Sequence, residues 1–191
     1  MADEEGQVRN DELDAEARAR RQLALARIRQ WGDPALRLPA REVETFDADL
    51  GRLVEQMTSL MRDARGVGLA ANQVGVLRRV FVFQPDEEQD PVAVVNPRLE
   101  GHGDELETAG EGCLSLQGVT VPVERHAAIV LAGQDLRGAP LRLEVDGLGA
   151  RVAQHELDHL DAVLILDRTT HEARREALGI LRPRPVLAVA R

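Results

Sequence analysis

Apolar residues at Leu50, Leu53, Val54, Met57, Leu60 and Met61 recur at the i, i+3, i+4 spacing of an amphipathic helix, with Asp47 near its start and Gly66 just past its end. Beyond Gly66 the period changes. Residues 80–83, 92–95, 119–121, 128–131 and 141–145 form short β-type runs separated by Gly, Pro and Asp, and Asp135-Leu136-Arg137-Gly138 predicts a hairpin turn. Helical spacing returns over 148–160, and a last helix is predicted over 170–181, stopped by Pro183 and Pro185. This order shows no regular βαβ alternation and no internal repeat, so it predicts an α+β fold with mostly antiparallel pairing. Residues 1–24 are acidic, then rich in Ala and Arg, with few large apolar side chains; they are expected to form a solvated arm or a frayed helix. One domain is expected over 25–182, with a short tail over 183–191.

Composition narrows the chemistry. The 191 residues are 43% hydrophobic and 30% charged, a globular balance with room for one core. No apolar run approaches a membrane span and no basic-then-apolar leader opens the chain, so a soluble cytoplasmic protein is expected. The net charge is −9 and every one of the 24 basic residues is Arg. An acidic chain is poorly suited to neutralising phosphates, and without Tyr and with three Phe and one Trp it lacks stacking platforms; no direct nucleic-acid binding is expected. The absence of Lys excludes Schiff-base chemistry and a Walker-type phosphate loop. A lone cysteine, Cys113, excludes an internal disulfide.

The strongest local signal is Gln154-His155-Glu156-Leu157-Asp158-His159. On a helix His155 and His159 lie one turn apart on one face and reach the same metal, while Glu156 reaches the water that such a metal activates. A catalytic site of this kind needs a third protein ligand. Glu172 or Glu176 downstream is one choice; Cys113, within Glu111-Gly112-Cys113-Leu114-Ser115, is the other and the better candidate. Gly66-Val67-Gly68-Leu69-Ala70-Ala71-Asn72-Gln73 formally satisfies a dinucleotide fingerprint, but a helix precedes it and a strand follows, the reverse of what that fingerprint requires. Its glycines instead allow close backbone approach to a ligand, and Gln73 offers an amide donor.

Taken together and in order, GVGLAANQ, EGCLS and QHELDH resemble the three signature motifs of the peptide deformylases, metal hydrolases that remove the formyl group from the N-terminal methionine of nascent proteins. The resemblance runs from about Ile28 through Gly32-Asp33-Pro34, Val95-Asn96-Pro97 and Gly147-Leu148 to Leu166-Asp167. It implies antiparallel β-sheets packed around a central helix that carries the His-Glu-x-x-His motif. It further implies Cys113, His155 and His159 as metal ligands, Glu156 as general acid/base, and Gln73 with the Leu114 backbone N–H as oxyanion donors. Gly68 would dock the extended N-formylmethionyl peptide, and Val67, Leu148 and Val152 would line the methionine pocket. One divalent metal per chain is implied, typically Fe²⁺ with Zn²⁺, Ni²⁺ or Co²⁺ as substitutes; no membrane is implied as a partner, and there is room for a transient association with the ribosome. Three departures stand out: Asn72 where Pro is common, Ala162 where Gly is common, and a short segment after Cys113 without the basic residue that often contacts the substrate backbone, for which Arg125 is a candidate substitute. Asp158 and Asp161 are expected either to support the site from behind its ligands or, more simply, on a solvated helix face, Arg151 in an ion pair or against substrate, and His102 and His126 at the surface or in loops. Two rival readings are an HExxH zinc peptidase using Glu172 and a non-catalytic metal-binding relative.

Overall fold

The structure, a computed structural model, describes residues 14–84 and 88–182. Helix α1 (Ala15–Leu25) leads through a 3-10 turn (Pro34–Arg37) to helix α2 (Ala48–Asp63), and the short strand β1 (Gly68–Ala70) follows. A second 3-10 turn (Ala71–Val74) precedes strands β2 (Val80–Phe83), β3 (Val92–His102), β4 (Leu106–Gly112), β5 (Thr120–His126), β6 (Ala128–Gln134) and β7 (Pro140–Asp146). Helices α3 (Gly147–Leu160), α4 (Ile165–Arg168) and α5 (His171–Leu181) complete the described chain.

The α+β expectation holds. Five strands form an antiparallel sheet in the order β1-β2-β3-β6-β7, and β4 and β5 form a separate antiparallel pair. The predicted strands after residue 119 are longer than their apolar runs, because pairing with neighbours extends them into polar residues such as Glu124 and Arg125. Two strands lack a sequence signal. β1 is three residues long, and β4, Leu-Glu-Thr-Ala-Gly-Glu-Gly, has no apolar alternation; each is defined by its partner's register.

Helix α2 begins where Asp47 accepts a hydrogen bond from Leu50 N (3.0 Å), as its position near the start of the periodic segment suggests. Its apolar face, with Met57 and Met61 fully buried, packs with Val80 and Val82 of β2. Ala15–Leu25 takes the helical one of its two expected forms, packed and not frayed. It is a regular helix capped by Asp14, its Ala24 and Leu25 join the core beside α2, and Arg21 donates to the Ala64 carbonyl (3.2 Å), a group at the end of α2 that needs a partner. The rest of the expected arm before residue 14, the tail over 183–191 and the two stop prolines lie outside the described residues.

Helix α3 is central. One side meets the large sheet through Ala150, Ala153, Leu157 and Leu160 against Phe81, Phe83 and Leu131; the other faces β5, and β5 in turn packs Val121 and Val123 with Ile165 and Leu166 of α4. Such enclosure leaves its polar side chains little solvent, so a partner inside the protein is needed for most of them. No helix among the described residues is long and apolar enough to cross a membrane.

Candidate metal centre

Helical spacing brings His155 and His159 together on α3, with their Nε2 atoms 3.1 Å apart. Cys113, in the turn after β4, places Sγ 3.3 Å from His159 Nε2. The ligand-capable atoms of these three residues all lie within 4.8 Å of one another, the one such cluster among the described residues. Glu172 and Glu176 lie exposed on α5 and do not join it. One thiol and two imidazoles form a donor set suited to a borderline divalent metal. Ser115 N and Gln73 Nε2 approach Sγ at 3.4 and 3.8 Å, so the sulfur accepts from two donors of its own surroundings.

Behind His155 lies a carboxylate. Glu111 Oε2 is 3.1 Å from His155 Nδ1, which turns Nε2 toward Cys113 and His159 and matches the outer-shell partner that metal-binding imidazoles require. Glu111 also receives a two-pronged contact from Arg125 (2.9 Å twice) and one from Arg151 Nη1 (2.9 Å). Asp158 accepts from Arg125 (2.6 Å) and from Arg168 (2.6 and 3.1 Å). Burial alone would raise the Glu111 carboxyl, yet the hydrogen bonds and charges of His155 and Arg125 hold it well below the usual carboxylate range. Burial opposes charge on His155 as well, and its contacts with Cys113 and Glu111 win, so its ring is held well above the usual imidazole value in the metal-free site. Burial, aided by the charge on His155, pushes His159 well below that value.

Glu156 is one residue along the helix and buried, and burial lifts its carboxyl to about 7. Its Oε2 has no hydrogen-bond partner. A carboxyl poised near neutrality is matched to proton transfer at physiological pH. Gly68 of β1 lies against it: a Cβ built there would collide with Glu156 Oε1 and stand 2.8 Å from Val152 Cγ1, so only a glycine lets the strand edge and the carboxylate meet. Gln73 is held by its own Oε1, which accepts from Ala70 N (2.8 Å), while its Nε2 faces Ser115 Oγ (3.1 Å) and the sulfur. An open cleft of about 60 Å³ runs past these groups, lined by Val67, Gly68, Gln73, Cys113, Leu114, Leu148, Arg151, Val152, His155 and Glu156. Leu148 is 46% exposed and stands at the cleft mouth, whereas Val152 is buried.

Two expectations need correction, those for Asp158 and Arg125. Asp158 is not on a solvated face; α3 is covered on that side and the carboxylate pairs with two arginines. Arg125 does not face the cleft as a substitute substrate contact, since it is 5% exposed and bound between Glu111 and Asp158. Arg151 reaches both the cleft lining and Glu111, so it is an ion-pair residue at the cleft wall. Asp161 is exposed and pairs with Arg79. His102 and His126 are stacked on each other, with ring centroids 3.7 Å apart. Glu111 is the functional side chain that sequence reading missed. Its signal was faint: it lies two residues before Cys113, the spacing that puts neighbours on one side of an extended strand.

Known proteins match this arrangement over most of its length. A model of the family described as polypeptide deformylase matches residues 25–175. The chain is 47% identical over 157 residues to peptide deformylase 1 of Corynebacterium efficiens, covering 81% of this chain and 93% of that one. A peptide deformylase of Thermotoga maritima is 45% identical and covers 78% of this chain and 89% of its own. Among solved structures, a peptide deformylase from Synechococcus elongatus in complex with actinonin superposes with a TM-score of 0.76 at 40% identity, covering 80% of this chain and 85% of that chain.

Proposed function

The chain belongs to the polypeptide deformylase family, metal-dependent enzymes that remove the N-formyl group from nascent peptides, and from that premise we propose how its own residues perform the reaction. Cys113 Sγ, His155 Nε2 and His159 Nε2 would hold the metal, with Fe²⁺ as the native ion and Zn²⁺, Ni²⁺ or Co²⁺ as substitutes. When bound, such an ion supplies Lewis acidity, polarising a formyl carbonyl and making water acidic near neutral pH.

The peptide lies extended along the Gly68 edge, with its methionine side chain between Val67, Val152 and Leu148. Glu156 takes a proton from the attacking water as the water oxygen bonds to the formyl carbon. Gln73 Nε2 and the Leu114 N–H donate to the carbonyl oxygen as negative charge gathers there; removal of one such donor costs on the order of a hundredfold in rate. The carbon–nitrogen bond then breaks, Glu156 returns its proton to the departing amine, and formate and a free methionyl peptide leave. Glu111 holds His155 in one orientation throughout.

The single observation that carries this reading is the convergence of Glu156, Gln73, Cys113 and His155 on one cleft, with His159 within 4.8 Å of the other two ligand atoms. A purely structural metal site needs no carboxyl lifted to about 7 beside it, with one oxygen left without a partner. Formate release from formyl-Met-Ala-Ser by protein reconstituted separately with Fe²⁺, Ni²⁺ and Zn²⁺ tests it. Metal-dependent release is expected; a metal-loaded protein that releases none contradicts the reading.

A further inference from the structure

Among the described residues, three buried side-chain atoms have no hydrogen-bond partner: Glu156 Oε2, His159 Nδ1 and Asn72 Oδ1. The first faces the reaction in the reading above. The other two call for a separate account, because a buried polar atom without a partner keeps its full desolvation cost.

They are complementary. His159 directs Nε2 toward Cys113 and His155, so the ring proton of the metal-binding form resides on Nδ1, which is then a donor. Asn72 Oδ1 is an acceptor. Asn72 is fully buried, and its Nδ2 already donates to the backbone carbonyl of His159, which brings the carboxamide to that residue and no other. His155 has the corresponding partner in Glu111, on the opposite side of the cluster.

We propose that Asn72 is the positioning residue for His159, with Nδ2 fixing its backbone and Oδ1 serving as the acceptor for its Nδ1–H once Nε2 binds metal. The pairing satisfies both atoms with correct polarity, a ring N–H donor and an amide oxygen acceptor. The two imidazoles of the site are thus oriented differently, His155 by a carboxylate and His159 by a neutral amide. Asn72 also adjoins Gln73, so one 3-10 turn sets a ligand's orientation and carries an oxyanion donor. The inference rests on His159 being a metal ligand.

The test is Zn²⁺ affinity, measured by competition with a chromophoric chelator, for the wild type, Asn72→Ala, Asn72→Asp and His159→Ala, alongside metal-free melting curves. Asn72→Ala is expected to bind Zn²⁺ about tenfold more weakly. Asn72→Asp keeps an acceptor and loses the donor, so its affinity should lie nearer the wild type than the alanine variant. Equal weakening by both substitutions overturns the acceptor role. Wild-type affinity in both, with lowered melting alone, reduces Asn72 to a cap on α3 and overturns the proposal. If His159→Ala keeps wild-type affinity, the ligand assignment itself fails, an outcome distinct from either. An independent reading needs no variant: in the zinc-loaded wild type the His159 Nδ1–H should give an imidazole N–H resonance protected from solvent exchange, and rapid exchange contradicts the proposal.

Discussion

Ala162 occupies the left-handed region at φ +62°, just beyond the end of α3, and its carbonyl accepts from Arg37 (3.3 Å). A side chain there costs about 1–2 kcal/mol, and a glycine returns part of the gain through its freer unfolded chain. Ala162→Gly should therefore stabilise the protein by about 0.5–1 kcal/mol, read as a higher urea midpoint at unchanged slope. A lower midpoint would show that the turn is not strained. Gly68 presents the opposite case. Gly68→Ala drives a methyl group into Glu156 and Val152, so kcat/KM should fall on the order of a hundredfold while metal content stays at wild-type level. Normal turnover would mean that Glu156 does not work from the position against β1.

Strand β4 and helix α3 meet through buried charge. Glu111 from one, His155 and Arg151 from the other, and Arg125 from β5 form a network whose members leave each other uncompensated if one is removed. Glu111→Gln should cost about 3–5 kcal/mol in chemical denaturation of the metal-free protein. The effect depends on pH. A carboxyl depressed in the folded state contributes stability that is fully present above its ordinary value of 4.5 and is lost as pH falls through the folded value, so the difference between wild type and variant should shrink below about pH 4.5. A difference constant from pH 7 to pH 3 would contradict the depressed carboxyl. This network also marks where the sequence stops being legible. The helical periods of α2 and α3, the His155–His159 spacing and the choice of Cys113 over Glu172 are all local patterns. The role of Glu111 depends on a strand without alternation being laid beside α3 by its partner β5, and the burial of Asp158 depends on Arg125 of β5 and Arg168 of α4 reaching it. Neither lies in any window of the chain.

At the scale of the whole molecule, β1, the turn after β4 and α3 come from three distant parts of the chain and meet at one cleft. A metal joining Cys113 to α3 therefore binds the folded chain and not the unfolded one, and should stabilise it by about 2.7 kcal/mol at a hundredfold excess over its dissociation constant. Chelation should lower the melting temperature, and readdition of Zn²⁺ should restore it; an unchanged melting curve on removal would detach the metal from the fold. The central claim is that this fold positions Glu156 as the proton carrier of a metal-dependent deformylation. The most direct test is formate release by Glu156→Gln at metal occupancy equal to the wild type. Full occupancy with turnover reduced by a factor on the order of 10² to 10⁴ is the predicted result; wild-type turnover at full occupancy would contradict it.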